Sequence, residues 1–405
     1  MFFVGVTLAA WVGHFYLWRR LVRDTTTSKT LRKIGAGVLI ALALLSAAGL
    51  LLPRRLGPDA GKWVAWPGYV WLALLVYLCL VLAVLELPRL ALRRWVRGGP
   101  RTLVADATST VDTPAEPEPV PHKESTEQSR RLFLARGSAL VAGAASAGIV
   151  GYGMAEALGP PDVRRVTVPL RRLHPDLRGF RIAVVSDIHL GPMLGRGHTE
   201  RVVRMINETG ADLVAVVGDT VDGTVDELRR DVEPLRDLVS RHGSFFVTGN
   251  HEYYSGHEHW IAEFERLGMH GLRNEHTTIS RGGGSFELAG INDVNGRSAD
   301  DPPDIDDALA GRDTSVPTIL LAHQPVQVSD AVRHKVDLQL SGHTHGGQFY
   351  PFHHVVQLGQ PSLAGLSKVD DTWLYVTRGA GFWGLPVRVA APPDITVVEL
   401  NPEGA

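Results

Sequence analysis

The 405 residues exceed what one ordinary domain needs, and the composition, 44% apolar and 21% charged, is that of a folded protein. Charge divides the chain: residues 1–160 carry 18 Lys and Arg against 10 Asp and Glu, whereas residues 161–405 carry 23 against 33. The acidic part argues against a nucleic-acid-binding body, so no nucleic acid is expected as a partner. The single cysteine, Cys79, excludes an intrachain disulfide framework.

Three long apolar stretches open the chain, at about residues 1–18, 34–52 and 68–87. Each is close to the ~20 residues that an α-helix needs to cross a bilayer. The alternative, buried helices of a soluble core, requires a charged face that these stretches lack. The sequence therefore predicts three transmembrane helices within residues 1–94, with the lipid bilayer as a partner.

Basic residues predict the orientation of these helices. Six Lys and Arg lie between the first and second stretches and five follow the third, but only three lie between the second and third. The positive-inside rule then places the N-terminus outside and the segment after the third helix in the cytoplasm. Residues 95–128 lose apolar periodicity and become rich in Pro, Glu and Thr, which predicts a flexible cytoplasmic linker.

Residues 129–160 begin with basic residues and continue as an apolar run that is rich in small side chains. Arg130 and Arg131 precede small and apolar residues from Gly137 to about Leu158, which resembles a twin-arginine export signal placed internally. The alternative is an ordinary fourth transmembrane helix; whether cleavage follows Ala157 stays open. Both interpretations place residues 161–405 outside the cytoplasm, and the first adds the twin-arginine translocation machinery as a partner. We expect a multi-pass membrane protein.

Beyond residue 180, short β-branched runs alternate with amphipathic segments. Strands are predicted at 181–186, 212–217, 244–248, 286–289, 318–321, 337–340, 373–377 and 395–400. Helices are predicted around Val202–Ile206, Val225–Val239 and His259–Leu267. This alternation favours an α/β layered domain over residues 161–405, long enough for a core that needs no disulfides.

Polar side chains follow five of these predicted strands. The five clusters are Asp187-Ile188-His189, Gly218–Asp222, Gly249–Glu252, Ala322-His323 and Gly342–Gly346. Any single cluster has an ordinary explanation as a helix N-cap or a turn. Because ligands bind beyond the carboxyl ends of strands in open α/β sheets, we expect all five to converge. Asp, His and Asn without Cys or Lys supply ligands for Mn²⁺, Fe or Zn²⁺, and they outnumber the needs of one ion. Two divalent metal ions sharing a carboxylate are therefore predicted.

The order and spacing of these clusters resemble the calcineurin-like metallophosphoesterases, and in particular their bacterial membrane-associated or exported branch. The matching blocks are Asp-x-His, Gly-Asp-x-x-Asp, Gly-Asn-His-Glu, a single His and Gly-His-x-His, spread over about residues 180–400. The resemblance implies a two-sheet αββα sandwich following the transmembrane helices.

The resemblance also implies roles for the ligands. One metal would be held by Asp187, His189, Asp219 and His345, and the second by Asp219, Asn250, His323 and His343. Asp219 would bridge, since a shared carboxylate reduces the repulsion between two neighbouring cations. The nucleophile would be a metal-bound hydroxide attacking the phosphorus in line.

Residues beside the ligands receive supporting roles. His251 is assigned as the general acid for the leaving group, because imidazole titrates near neutrality; the alternative is a structural histidine in a turn. Asp222 and Glu252 are expected to orient the imidazoles or the loop. Arg378 and Arg388 flank a Gly/Pro-rich stretch and are expected to contact phosphate, with surface ion pairs as the alternative.

The expected function is a membrane-anchored, extracytoplasmic, metal-dependent phosphoesterase acting on a phosphate-ester substrate, preferably a phosphodiester of the cell envelope. One alternative is a phosphomonoesterase or nucleotidase that scavenges phosphate. Another is a catalytically silent envelope binding protein, against which the intact ligand motifs and His251 argue. A transporter is disfavoured because the apolar stretches contain almost no charge.

Overall fold

The computed structural model describes residues 2–92 and 123–404. The chain divides into two compact units. One consists of residues 1–47 and 71–150, and the other of residues 48–70 and 151–405.

Long apolar helices dominate the N-terminal part of the chain: α1 Phe2–Leu17, α2 Lys29–Leu51, α3 Pro53–Ala91, which is interrupted at Gly57, and α4 Lys123–Leu158. Among the described residues, three stretches are long and apolar enough to cross a membrane, namely Lys29–Leu51, Arg55–Ala91 and Gln128–Leu158. They contain the second, third and fourth predicted helices. Helix α1 has 16 residues and continues into a π-helix over Trp18–Arg23.

The surface of these helices is apolar. Leu44 on α2, Val84 on α3 and Leu140 on α4 are 59%, 64% and 75% exposed. Contiguous exposed apolar surface of this kind marks contact with a membrane or a partner, and the length of the helices favours the membrane. Of the predicted linker, residues 95–122 lie outside the described residues, and residues 123–128 form the start of α4.

Charged side chains of the first unit pair with one another. Arg20 lies 3.0 Å from Oδ2 of Asp24 and 2.6 Å from Oε2 of Glu86, and Nη2 of Arg89 lies 3.3 Å from the same Asp24 oxygen. Charges beside apolar surface are tolerated when they pair. These ion pairs therefore let the π-helix after α1 and the end of α3 carry charge within one unit.

Within residues 161–404, twelve strands form two mixed sheets. They are β1 Asp162–Leu170, β2 Phe180–Val185, β3 Leu213–Val217, β4 Ser244–Val247, β5 His270–Gly271, β6 Glu275–Arg281, β7 Gly284–Gly290, β8 Thr318–Leu321, β9 Leu338–Ser341, β10 Gly365–Val369, β11 Thr372–Val376 and β12 Asp394–Pro402. The first sheet has the order β1-β12-β2-β3-β4-β5 and the second β10-β11-β9-β8-β7-β6. Strands β2 to β5 run parallel, as do β7, β8, β9 and β11.

The two sheets pack face to face through a buried apolar core, to which Phe180 and Ile182 contribute from one sheet and Phe286 and Leu338 from the other. The helices of this domain are α5 Arg196–Glu208, α6 Val225–Val232, α7 Asn250–Ser255, α8 His257–Arg266, α9 Ile305–Ala308, α10 Val328–Arg333 and α11 His353–Val356. Helices α5, α6 and α8 cover the outer face of the first sheet, and α10 contributes to a smaller core on the second. The predicted αββα sandwich is confirmed.

Differences from the predicted elements have local causes. The helix predicted over Val225–Val239 ends at Val232, because Pro234 follows and a short 3₁₀ helix replaces it. Strands β1, β5, β6 and β10 were not predicted. Each lies at the edge of a sheet and carries polar side chains, so the apolar signal of a buried strand is weak there.

Candidate metal centre

All five polar clusters follow the carboxyl ends of strands: β2, β3 and β4 of the first sheet and β8 and β9 of the second. Five of the seven predicted ligands have left-handed backbone conformations, with φ between 50° and 72°: Asp187, His189, Asp219, His343 and His345. Such a conformation costs roughly 1–2 kcal/mol for a residue with a side chain. Strain of this kind concentrates at functional sites, where the surrounding structure must hold it.

Cluster one consists of Asp187, His189 and His345, all buried. Nε2 of His189 lies 3.0 Å from Nε2 of His345, which in turn lies 3.4 Å from Oδ1 of Asp187. The fourth predicted ligand, Asp219, places its Oδ2 3.9 Å from Nε2 of His189. Two imidazoles and two carboxylates thus face one point, a donor set that holds divalent transition metals.

Cluster two consists of Asp219, His323 and His343. Nε2 of His323 lies 3.1 Å from Oδ2 of Asp219 and 3.2 Å from Nδ1 of His343. Asn250 starts α7 beside them, and within the described residues its buried Oδ1 has no hydrogen-bond partner. Leaving a buried acceptor unsatisfied costs about 1–3 kcal/mol, and a cation removes that cost. The residues present therefore fit a bound divalent metal.

Asp219 is common to both clusters through a single oxygen. Its Oδ2 faces His189 on one side and His323 on the other, while its Oδ1 accepts a hydrogen bond from the backbone N–H of His251 at 2.8 Å. Burial disfavours the charged carboxylate, but the imidazoles of His323 and His251 outweigh it and hold the pKa of Asp219 well below its ordinary value. The shared carboxylate is therefore anionic.

The outward nitrogens of two ligand histidines are fixed by acceptors. Nδ1 of His189 lies 3.1 Å from Oδ1 of Asp222, and Nδ1 of His323 lies 2.8 Å from the carbonyl oxygen of Val217. Each contact turns Nε2 toward its cluster, which is how proteins orient imidazole ligands. Asp222 thus lies where it can orient an imidazole.

His251 lies beside cluster one without belonging to it. Its Nδ1 is hydrogen-bonded to the same Asp222 oxygen as His189, and its Nε2 lies 3.9 Å from Oδ2 of Asp219. Burial opposes the charged ring, but the carboxylates of Asp219 and Asp222 raise the pKa of His251 to about 9. The rings of Tyr254 and Trp383 flank it at 5.5 and 6.1 Å. His251 is thus placed to donate a proton toward the clusters.

Glu252 holds the loops after β3 and β4 together. Its carboxylate accepts backbone hydrogen bonds from Gly249 at 2.7 Å, Asp219 at 2.9 Å and Thr220 at 2.7 Å. The approach of these loops requires glycine at 218, where φ is 84° and a Cβ would lie 2.7 Å from Gly249. Two ligand-bearing loops are thereby fixed against each other.

The two arginines have different surroundings. Arg378 is a quarter exposed and pairs with Asp394, Nη1 to Oδ2 at 3.2 Å. For Arg388, both the expected phosphate contact and the surface ion pair are wrong: its side chain is fully buried and bonds backbone carbonyls and His345. The sequence did not predict that Arg388 is buried, although the apolar neighbours Val387 and Val389 are typical of a buried segment.

The comparisons with known proteins agree with this geometry. The calcineurin-like phosphoesterase family model matches residues 180–347. A transmembrane protein with metallophosphoesterase domain from Danio rerio is 40% identical over 260 residues, which is 62% of this chain and 60% of the relative. The chain thus spans about three fifths of the length of that relative.

Two bacterial relatives are covered more fully. An uncharacterized metallophosphoesterase of Helicobacter pylori strain J99 is 40% identical over 63% of this chain and 69% of the relative. The metallophosphoesterase YkuE of Bacillus subtilis is 33% identical over 68% of this chain and 98% of the relative. The similarity therefore extends to vertebrate as well as bacterial proteins. The chain belongs to the calcineurin-like metallophosphoesterase family, the metal-dependent hydrolases of phosphoric esters.

Proposed function

We propose that this chain is a membrane-anchored phosphodiesterase whose catalytic domain faces the extracytoplasmic side and holds two divalent cations. The observation that carries the proposal is the position of Asp219, whose Oδ2 faces both clusters. One cation would be held by Asp187, His189, Asp219 and His345, and the other by Asp219, Asn250, His323 and His343. When bound, Mn, Fe or Zn ions supply Lewis acidity that lowers the pKa of water and polarises phosphoryl oxygens.

The chain's own residues account for the proton and the geometry. His251 donates its Nε2 proton to the leaving-group oxygen, while Asp222 holds Nδ1 and favours the charged ring. Glu252 keeps the loops of Asp219 and Asn250 at a fixed separation. Holding the donors in place before substrate binds is what makes electrostatic catalysis effective.

The surroundings of His251 suit an organic leaving group. Tyr254, which is 64% exposed, and Trp383 place aromatic rings beside the proposed proton donor. A leaving group that accepts the proton of His251 would contact these rings, and aromatic surfaces bind large organic groups. The substrate is accordingly a phosphate ester with an organic leaving group, and the preference for a diester of the cell envelope rests on the proposed location.

The experiment is turnover by the purified full chain with bis(p-nitrophenyl) phosphate and with p-nitrophenyl phosphate. We expect faster hydrolysis of the diester. Asp219→Asn should lower turnover by about 10³-fold, equivalent to the several kcal/mol that the cations contribute, whereas exposed Asp226→Asn should not. Faster hydrolysis of the monoester would favour a phosphomonoesterase or nucleotidase. Metal-loaded protein without turnover would favour a silent binding protein.

The proposed location rests on the long apolar helices and on Arg130 and Arg131, which precede the apolar part of α4. A multi-pass arrangement with residues 161–405 outside the cytoplasm follows from the distribution of basic residues. The test is a reporter fused after residue 165, which should be active only outside the cytoplasm. Changing Arg130 and Arg131 to Lys should abolish export if the twin-arginine translocation machinery is the partner. Persistence of export would indicate an ordinary transmembrane helix.

A further inference from the structure

Arg388 is a fully buried arginine bonded to backbone carbonyls and to a proposed metal ligand. Its Nη1 donates to the carbonyl oxygen of His345 at 2.8 Å, and Nε donates to that of Gly381 at 3.1 Å. Its Nη2 lies 3.1 Å from Nδ1 of His345. Within the described residues no carboxylate lies within ion-pair distance of this guanidinium. Burying a charge without a counter-charge costs free energy unless the group is hydrogen-bonded. The hydrogen bonds of Arg388 to backbone carbonyls offset this cost and fix those carbonyls in place.

The hydrogen bond to the carbonyl oxygen of His345 acts on the geometry of that residue. The residue has a left-handed backbone, with φ of 52°, and its ring must present Nε2 to Asp187 and His189. Arg388 restrains the backbone of His345 by donating to its carbonyl oxygen. A planar guanidinium offers several donors in a fixed arrangement, so one side chain can hold the carbonyl oxygens of His345 and Gly381 at once.

The backbone of Arg388 is tied to helix α4 within the same unit. Its N–H donates to the carbonyl oxygen of Gly153 at 2.8 Å, and Val389 N–H donates to the carbonyl oxygen of Gln348 at 3.1 Å. A Cβ at Gly153 would lie 2.9 Å from Cγ2 of Val389 and 3.2 Å from Cβ of Val387. Residues 387–389 therefore run against the last turns of α4, and only glycine at 153 permits this approach.

Further contacts fix the end of α4 to the same domain. Ala157 packs with Leu194 and Phe382 in a buried apolar cluster. Nη1 of Arg201 donates to the carbonyl oxygen of Leu158 at 2.9 Å. The last two turns of α4, residues 151–158, are thus a packed part of the catalytic unit.

We propose that Arg388 is a positioning residue that holds His345 in its ligand geometry, and that residues 151–158 of α4 hold Arg388 in turn. The inference rests on the metal binding assumed in the proposed function, but not on the reaction. It makes the end of a membrane-spanning helix a structural support of cluster one. A domain cleaved from α4 after Leu158 would lose that support, whereas one that begins at Gly151 would keep it.

The test is Co²⁺ binding by the metal-free, detergent-solubilised full chain, followed by visible absorption and by metal content, without any ester. Arg388→Met should weaken one of the binding steps by about 10–100-fold, as does loss of a group that orients a ligand. Its spectrum should approach that of His345→Ala, and Arg388→Lys should lie between Arg388→Met and the unsubstituted chain. The control is Arg312→Met, which removes a half-buried arginine that donates to the carbonyl oxygen of His334 at 2.7 Å.

Two outcomes would overturn the role of Arg388. One is unchanged Co²⁺ affinity and spectrum in folded Arg388→Met, and the other is equal weakening in Arg312→Met. If Arg388→Met does not fold, folded Arg388→Lys decides, because a lysine lacks the planar set of donors that holds the carbonyl oxygens of His345 and Gly381. If Arg388→Met weakens Co²⁺ binding while no phosphate ester is hydrolysed by the unsubstituted chain, the proposed function fails and this inference stands.

The link to α4 has its own matched pair of variants. Gly153→Ala places a Cβ against Val387 and Val389, whereas a Cβ at Gly151 meets no atom within 4 Å. Both changes favour the helix equally. We expect Gly153→Ala to weaken Co²⁺ binding several-fold and Gly151→Ala to leave it unchanged. Equal affinities in the two variants would overturn the link to the helix.

Discussion

The two ligand clusters differ in what fixes their histidines. In cluster one, side chains do so: Asp222 contacts Nδ1 of His189, and Arg388 donates to the backbone carbonyl oxygen of His345. In cluster two, Nδ1 of His323 is held by the backbone carbonyl oxygen of Val217, at the end of a central strand. Side chains can be replaced without moving a strand, whereas a strand carbonyl cannot. The metal affinity of cluster one can therefore be altered by substituting residues that do not themselves bind metal.

Cluster one is also the side on which the proposed proton donor lies. The same oxygen of Asp222 contacts both His189 and His251, so one carboxylate serves metal binding and proton donation together. In cluster two, Asp219 also contacts His251, but it does so as a proposed metal ligand and not as a residue that orients one. We therefore expect substitutions of the residues that orient cluster one to affect both metal binding and proton donation. Substitutions of the residues that orient cluster two should affect metal binding alone.

The largest expected effect comes from His251→Ala. Removing a general acid typically lowers the rate by about 10²–10⁴-fold, and this loss should appear with esters of aliphatic alcohols, whose leaving oxygen needs a proton. With p-nitrophenyl esters the loss should be much smaller, because p-nitrophenolate leaves unprotonated. The measurement is turnover on both ester types at constant metal content. Equal losses on both would place His251 in a structural role.

Asp222→Asn should have the second-largest effect. The amide keeps the size of the side chain but removes the charge that holds His189 and His251. We expect metal affinity at one site to fall by about 10–100-fold, with a further loss of turnover at saturating metal. Metal titration and turnover are measured in parallel, with exposed Asp226→Asn as the control. Full recovery of turnover at high metal would limit Asp222 to the orientation of His189.

How far the sequence predicted the site follows from where each group lies in the chain. The metal-binding motifs were readable because each follows a strand of a parallel sheet, so their convergence is a property of the topology. Asp222 was readable because it belongs to the same motif as Asp219. The partner of His345 lies 43 residues away at Arg388. That pairing depends on residues 387–389 crossing α4, which no local pattern encodes.

The edges of the fold were the least predictable part for a related reason. Strand β1 starts soon after α4 and pairs with β12 at the other end of the domain, in register from Asp162 with Asp394 to Leu170 with Pro402. Arg164 and Arg165 interrupt its apolar pattern, and Arg164 instead pairs with buried Asp394, Nε to Oδ2 at 3.4 Å. Strand β1 is thus stabilised by an ion pair and a partner strand that are distant in sequence, and its local sequence lacks the apolar pattern from which strands are predicted.

The smallest effect is expected from Glu252→Gln, on the side of cluster two. Glu252 accepts three backbone N–H groups, and a carboxamide can keep the two at one oxygen but turns an N–H₂ toward that of Thr220. An unsatisfied buried donor costs about 1–3 kcal/mol, so the unfolding temperature should fall relative to exposed Glu258→Gln. Co²⁺ affinity should change less than in Asp222→Asn, because the β3 backbone still holds His323. Equal weakening in both variants would show that the two clusters depend on side-chain support to the same degree.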